Sequence, residues 1–263
     1  MKRLSKYSEL PWNHEFWSVV RYYRSLRIRN KEKQRLWLES QLDHDSSNRD
    51  VALPITAETL DVLKDYIADS EKTLESALSL LRTEQAAKAF CIEKKLSVGS
   101  TTTKNQTHHQ SSKSLVSAVS GIAERVCGVA KSCVDIDPQR RAVWFSENGL
   151  HVSARNLDGA IPSLKNPSAI WEIKEYWGKT KGGSKMSDAV YECHLVGLEL
   201  RTFESVSDVS IQHIVFVDGR DQWGHRKSDL QRFIDLHQQG LIDHLIVGRE
   251  VENEWEELLS QLV

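Results

Sequence analysis

The N-terminal part of the chain places apolar side chains at helical spacing. This period runs through residues 12–42 and resumes after residue 55, continuing towards Ile92. Thr56 is a good N-cap for the second stretch, because its hydroxyl can accept a hydrogen bond from the first turn. The pattern therefore predicts a helical region over residues 1–96, with a role in DNA binding or dimerisation.

Residues 97–114 break this pattern. They are almost entirely Ser, Thr, Gly, Gln, Asn, His and Lys, with His108 and His109 side by side. Such a segment buries too little apolar surface to offset the cost of ordering it. We predict a flexible linker or loop here, and a second domain over residues 115–263.

The order of elements after residue 114 favours an α/β fold. Glu147-Asn148-Gly149 is a hairpin signal between two of the strands. Strand-helix-strand crossovers imply a mixed β-sheet flanked by helices. The predicted elements are a helix at 115–134, strands at 141–146, 150–157 and 169–176, a helix at 186–203, a strand at 211–217, a helix at 228–239, a strand at 243–247 and a helix at 250–262.

Composition excludes several classes of protein. Hydrophobic residues make up 40% and charged residues 27% of the chain, which is the balance of a soluble globular protein. No apolar run approaches the roughly 20 residues that cross a bilayer, and no secretory signal is present, so we expect a cytoplasmic protein without a membrane partner. The four cysteines form no Cys-x-x-Cys pair, and their spacing predicts reduced thiols rather than a structural zinc site.

Charge is unevenly distributed, although the formal net charge is only -2. A basic segment within a neutral chain suits a protein that contacts phosphates with one face, and the alternative is a solvated helix face. The basic residues of this segment are Arg21, Arg24, Arg27, Arg29, Lys31, Lys33 and Arg35.

Two carboxylates and a lysine are the strongest candidates for chemistry. Asp158 follows the second predicted strand of this region, and Glu172 and Lys174 lie within the third. Residues two apart on a strand face the same side, so Glu172 and Lys174 point together. Adjacent strands would bring Asp158 beside Glu172. The alternative is a surface Glu-Lys pair.

These groups match the needs of phosphodiester hydrolysis. Mg²⁺ takes oxygen ligands and needs only one or two carboxylates, here Asp158 and Glu172, with the backbone carbonyl of Ile173 as a further ligand. The Lys174 ammonium can orient a water and offset negative charge.

This pattern, Asp158 with Glu172-x-Lys174 within helix-strand-strand-strand-helix-strand, resembles the PD-(D/E)XK nuclease superfamily, with Leu157 at the usual proline position. The resemblance implies a restriction-endonuclease-like fold and a Mg²⁺-dependent endonuclease. It also implies that Asp158 and Glu172 bind the metal and that Lys174 assists the attacking water. Many members use an acid on the preceding helix, which makes Glu124 a catalytic candidate; the alternative is a plain surface residue.

Two loops are candidates for nucleic-acid binding. The first, after the third strand, mixes glycines with basic and hydroxyl groups but lacks the spacing of a Walker P-loop. The second follows the apolar strand at 211–217, and there Arg220 or Gln222 could reach a base edge. The candidates are Lys179, Lys181, Ser184 and Lys185 in the first loop and Arg220, Gln222, Arg226 and Lys227 in the second.

The leading hypothesis is therefore an endonuclease of double-stranded DNA, either a type II restriction enzyme or a phage-defence nuclease. Cutting both strands of a palindrome would require a homodimer. The alternatives are a structure-specific repair or recombination nuclease, a DNA-binding module of the same fold without catalysis, and a mixed-fold protein unrelated to nucleic acid.

Overall fold

The computed structural model describes residues 1, 5–28, 30–41, 56–99, 112–178 and 184–263. The N-terminal part is helical, as predicted. Thr56 is the N-cap of the long fourth helix, because its hydroxyl accepts the Thr59 N–H at 3.1 Å. The helices here are α1 (Ser5–Ser8), α2 (Glu15–Ser25), α3 (Lys31–Ser40), α4 (Ala57–Leu80) and α5 (Glu84–Glu93).

The remainder alternates strands and helices. Its elements are α6 (Ser114–Ala130), β1 (Asp135–Ile136), β2 (Val143–Ser146), β3 (Gly149–Val152), β4 (Gly159–Ile161), β5 (Ala169–Glu175), α7 (Ser184–Glu204), β6 (Gln212–Asp218), α8 (Arg220–His225), α9 (Lys227–Gln239), β7 (His244–Val247), a 3-10 helix (Gly248–Glu252) and α10 (Glu254–Leu262).

Among the described residues, five strands form one mixed sheet in the order β1-β4-β5-β6-β7. The β1-β4 and β4-β5 pairs are antiparallel, whereas β5-β6 and β6-β7 are parallel. Both faces of the sheet are covered by apolar clusters, one involving α6 and α10 and the other α7 and α9. The run from Ile214 to Val217 is consequently fully buried, as expected for a central strand with helices on both sides. The predicted mixed α/β sheet with flanking helices is confirmed.

The strands differ in detail from the prediction. The hairpin at residues 147–149 is present, but β2 and β3 form a separate two-stranded sheet. The strand predicted at 150–157 ends at Val152, and Asp158 instead directly precedes β4. All three residues of β4 are buried, so this short strand offers no alternation of apolar and polar positions to detect.

A buried arginine ties the N-terminal helices to the sheet. Arg82, in the α4-α5 connection, is fully buried and donates from Nε to Asp218 Oδ2 at 2.7 Å. Its backbone N–H donates to Asp218 Oδ1 at 2.8 Å, and a guanidinium nitrogen donates to Glu252 Oε1 at 3.0 Å. The carboxylate at the end of β6 therefore anchors the chain that joins α4 to α5.

Residues on either side of the predicted linker share one core. Phe90 and Cys91 of α5 pack in the same apolar cluster as Leu115 and Val119 of α6. The Lys113 N–H donates to the Gly99 carbonyl at 2.9 Å, so these two residues, which flank the segment 100–112, lie next to each other. Residues 100–111, most of the predicted flexible segment, lie outside the described residues. A DNA-binding or dimerisation role for residues 1–96 stays a prediction.

No helix in the described ranges is both long and apolar enough to span a bilayer.

Replacing the buried arginine should be costly. Arg82→Met leaves the Asp218 carboxylate buried without its cation, and breaking a buried pair in this way costs about 3–5 kcal/mol of unfolding free energy. Arg125→Met is the matched control, because the Arg125–Glu256 pair is half exposed and such pairs contribute about 0–1 kcal/mol. Urea denaturation of both variants measures the difference, and equal losses would contradict the anchoring role of Arg82.

Gly159 should tolerate no side chain. It lies opposite Trp171 in the β4-β5 pair, and a Cβ added there would fall 1.9 Å from the indole ring. Gly159→Ala should therefore destabilise the protein by about 1–3 kcal/mol through overpacking. Gly128→Ala, at an exposed position of α6 with open space around it, should instead stabilise the protein by about 0.5–1 kcal/mol. Thermal unfolding of the two variants would refute this if their shifts had the same sign.

Candidate active site

Asp158 and Glu172 lie across from each other on neighbouring strands. Gly159 pairs with Trp171 in the antiparallel β4-β5 ladder, so the next pair outward is Asp158 with Glu172. Directly opposed residues put their side chains on one face. The Ile173 N–H donates to Asp158 Oδ2 at 2.7 Å, which fixes the carboxylate against β5. The expected proximity is present, with Asp158 directly before β4.

The two faces of β5 have different surroundings. Trp171 packs edge-on against Trp255 of α10, with ring centroids 5.5 Å apart. Glu175, on the same face, accepts the Leu115 N–H at the start of α6 at 2.8 Å. Glu172 and Lys174 point the other way, towards α7. This is the alternation that the strand period predicts.

Glu172 is the centre of a buried charge cluster. It is 1% exposed, and its Oε2 accepts from Lys174 Nζ at 2.7 Å and lies 3.3 Å from the Arg155 guanidinium. Lys174 also donates to Glu192 Oε2 of α7 at 3.0 Å, and Arg155 pairs with the same oxygen. Burial by itself would raise the pKa of Glu172, but the charge of Lys174, then the neighbouring His213 and then the charge of Arg155 hold it well below its usual value.

Asp158 has no such compensation. Burial raises its pKa, opposed by the hydrogen bond from Ile173 and by the charge of Lys174. It forms no ion pair with any cationic side chain that the structure describes. A partly buried carboxylate without a counterion is less stable in its ionised form than in water, and binding a cation would offset this cost.

The donor set around Asp158 fits a hard divalent cation. With Asp158 ionised and His213 neutral, three carboxylates (Asp158, Glu172 and Glu192) face two cationic side chains (Arg155 and Lys174), so the cluster lacks one positive charge. The backbone N–H and C=O of a strand residue point to the same edge, and the Ile173 N–H meets Asp158. The Ile173 carbonyl therefore also points to that edge. Carboxylate and carbonyl oxygens are the ligands that Mg²⁺ takes.

A second group of possible ligands lies on the other side of Glu172. Glu172, Cys193 of α7 and His213 of β6 are all buried, and each offers a ligand atom within 4.8 Å of the others. The signals for these residues in the sequence are weak. Cys193 falls on the apolar face of α7, and His213 interrupts an otherwise apolar strand. The side-by-side register of β5 and β6, which pairs Glu172 with Val215, could not be predicted.

Arg155 and Glu192 were also missed by sequence reasoning. Arg155 lies between the short strands β3 and β4, and nothing in the local pattern distinguishes it from other exposed arginines. Glu192 is a charged residue on a helix, a position usually solvated.

Glu124 does not join the cluster. It is exposed on α6, and no hydrogen bond or ion pair links it to Asp158, Glu172 or Lys174. The first turn of α6 is hydrogen-bonded to β5, where Glu175 accepts the Leu115 N–H. Glu124 lies more than two helical turns further along, so its expected catalytic role is not supported.

The predicted nucleic-acid contacts divide into three groups. Lys185 and Lys227 are exposed, and Arg220 is exposed although its Nε donates to the Leu81 carbonyl at 3.0 Å. Arg226 is partly exposed and pairs with Asp229 at 2.7 Å. Lys179 and Lys181 lie outside the described residues, and so does the side chain of Ser184.

Gln222 differs from the prediction. It lies in α8, a helix where a loop was expected, and is only 4% exposed. Its amide therefore cannot reach a base edge in this conformation. The helix forms because Gly219 provides a turn with φ of 123° directly after β6, and Trp223 packs under it.

A family model described as a domain of unknown function (DUF7687) matches residues 75–262. The chain belongs to this family. The DUF7687 match begins inside α4 and includes every member of the charge cluster. Comparisons with curated proteins and with solved structures give no significant match.

The lowered pKa of Glu172 should appear as acid sensitivity. A carboxyl whose folded pKa is depressed contributes stability that is complete above its unfolded value, about 4.5, and is lost as pH falls below it. Glu172→Gln should remove this contribution, which amounts to up to about 1.4 kcal/mol per pH unit. The stability difference between wild type and Glu172→Gln should therefore shrink on acidification. Exposed Glu257→Gln is the control, and parallel pH profiles for all three proteins would contradict the assignment.

Proposed function

We propose that this chain is a Mg²⁺-dependent endonuclease with a restriction-endonuclease-like fold, acting on double-stranded DNA. The observation that carries the proposal is the pairing of Asp158 with Glu172-x-Lys174 across two strands, where Asp158 lacks a counterion. The element order supports it as well, since α6 is followed by an antiparallel β1-β4-β5 meander and a helix leads to parallel β6.

Each residue then has a defined task. Asp158, Glu172 and the Ile173 carbonyl would hold the ion, which supplies Lewis acidity towards a phosphate and a water of lowered pKa when bound. Lys174 now pairs with two carboxylates, and its ammonium would orient the attacking water and offset charge on the phosphate. Arg155 keeps Glu172 ionised and in place, which makes it a positioning residue.

Basic side chains at the same end of the sheet support a polyanionic substrate. Tyr176, directly after β5, donates from its hydroxyl to the Lys185 carbonyl at 3.5 Å. Ser187 of α7 accepts from Arg226 at 3.0 Å, which places α7 next to the start of α9 and Lys227. Lys185, Arg226 and Lys227 therefore lie on adjoining helix starts, where phosphate binding is favourable. One centre per chain cuts one strand, so cleavage of both strands implies two copies.

A second candidate is a DNA-binding module of this fold without catalysis. The burial of Glu172, with Oε2 held by two cations, favours it, because an ion must displace one of these contacts. Its signature would be salt-sensitive DNA binding without a metal-dependent product.

Cleavage of DNA tests the proposal. Supercoiled plasmid and phage DNA are incubated with the full chain, with Mg²⁺ or with EDTA, and nicked and linear products are quantified. Asp158→Asn and Lys174→Met should each lower the rate at least about 100-fold, because each removes a ligand or a charge at the reacting phosphate. Asp208→Asn, exposed in the α7-β6 connection, should match wild type.

The outcomes separate the candidates. Mg²⁺-dependent cleavage by wild type that Asp158→Asn abolishes supports the endonuclease. Cleavage only of branched or single-stranded substrates would indicate the structure-specific alternative. DNA binding without cleavage across all substrates would favour the binding module, and an active Lys174→Met variant would contradict the assignment of the site.

A further inference from the structure

We propose that Glu172, Cys193 and His213 form a second metal site, buried between the sheet and α7 and selective for a borderline divalent cation such as Zn²⁺. It lies on the opposite side of the Glu172 carboxylate from Asp158 and uses the Oε1 atom. It does not rest on the proposed endonuclease activity, because two of its three ligands have no part in that activity.

The hydrogen bonds of His213 determine which of its ring nitrogens carries a proton. Its Nδ1 lies 2.8 Å from the Leu241 carbonyl, and a carbonyl oxygen only accepts hydrogen bonds. Nδ1 therefore carries a proton. In the neutral imidazole, Nε2 then presents its lone pair, and it points at Glu172 Oε1 at 3.6 Å. With a neutral His213, two acceptors face each other at a position where both side chains are at most 1% exposed; a protonated His213 would instead form an ion pair with Glu172.

Both atoms lack a partner. Among the described residues, neither Glu172 Oε1 nor His213 Nε2 has a hydrogen-bond partner, although both are buried. Their separation also exceeds the usual N–H···O distance. A cation between them would satisfy both, since a metal ion accepts one lone pair from each. Tetrahedral zinc places its nitrogen and oxygen ligands about 3.3 Å apart, close to the observed separation.

Cys193 selects the kind of metal. Its thiol is fully buried on α7, within 4.8 Å of the other two ligand atoms. An imidazolium-carboxylate pair would need no sulfur here, whereas zinc, cobalt and ferrous iron bind thiolate, imidazole and carboxylate together. Mg²⁺ prefers oxygen ligands and would remain on the Asp158 side. The hydrogen bond from His213 Nδ1 to Leu241 is also the outer contact that metal-bound histidines usually make.

A metal ion at this site would help to hold the Glu172 carboxylate in position. A metal on Oε1 would fix the carboxylate from one side while Lys174 and Arg155 hold Oε2 from the other. The site would thereby join β5, α7 and β6 through one ion. It also differs from the expectation drawn from the sequence, because the spacing rules for zinc ligands look for paired cysteines and not for single residues on three elements.

Cobalt substitution tests the site without any measurement of activity. The full chain is treated with a chelator under reducing conditions, and Co²⁺ is then added while the absorption spectrum is recorded. Wild type should develop a near-ultraviolet sulfur-to-cobalt band that saturates at one equivalent. Zn²⁺ should abolish this band, and excess Mg²⁺ should not. Cys193→Ala should lose the band, whereas Cys127→Ala, an equally buried cysteine of α6, should keep it.

Two further variants complete the design. His213→Asn should keep the sulfur band but weaken Co²⁺ binding at least about tenfold. Asp158→Asn, expected to lose DNA cleavage, should keep the wild-type spectrum, so failure of the endonuclease proposal and failure of this one are distinguishable. If Cys193→Ala does not fold, X-ray absorption of the wild-type zinc form replaces it, with one sulfur in the first shell expected.

The proposal is overturned if wild type shows no sulfur band at one equivalent. It is also overturned if Cys193→Ala retains the band, which would assign the metal to another cysteine, or if X-ray absorption shows no sulfur ligand. In the first case the imidazolium-carboxylate pair is the correct description of His213 and Glu172.

Discussion

The cost of burying the Glu172 carboxylate governs this structure. An ionised carboxylate taken out of water is stabilised only by partners that replace its hydration. Lys174 from the same strand and Arg155 from the preceding connection supply these partners. Their geometry requires β4, β5 and α7 to assemble together, so the position of one charge constrains three elements.

The same principle operates at the C-terminal end of β6. Asp218 is buried, and Arg82 supplies both a guanidinium and a backbone N–H to it. Because Arg82 precedes α5, the helices before residue 100 are joined to the sheet by charge as well as by apolar packing. The DUF7687 match likewise starts within α4 and includes Arg82. The helices α4 and α5 are parts of the same folding unit as the sheet.

Much of the fold could be predicted from periodicity. The helices with a strong apolar stripe, such as α6 and α9, and the continuous apolar strand β6 appear where the pattern indicates. The exceptions are elements whose burial leaves no pattern: β4 is three buried residues, and α8 begins directly after a glycine turn. The pairing of Glu172 with Lys174 followed from strand geometry.

The other residues around Glu172 could not be predicted from the sequence. Arg155, Glu192, Cys193 and His213 lie near Glu172 only because of tertiary contacts. Strand register and helix placement decide these contacts, and a single sequence carries no record of either. Gln222 shows the reverse error: its residue type suited contact with a base edge, but its burial in α8 does not allow it.

The hydrogen bond between Lys113 and Gly99 has a consequence for how the chain tolerates change. A hydrogen bond between Gly99 and Lys113 holds the two ends of the intervening segment together, and core packing of α5 against α6 does the same. The free energy of such a closed loop grows only with the logarithm of its length. Relatives with longer or shorter insertions at this point could therefore retain the same core, and new chain termini could be opened here without separating α5 from α6.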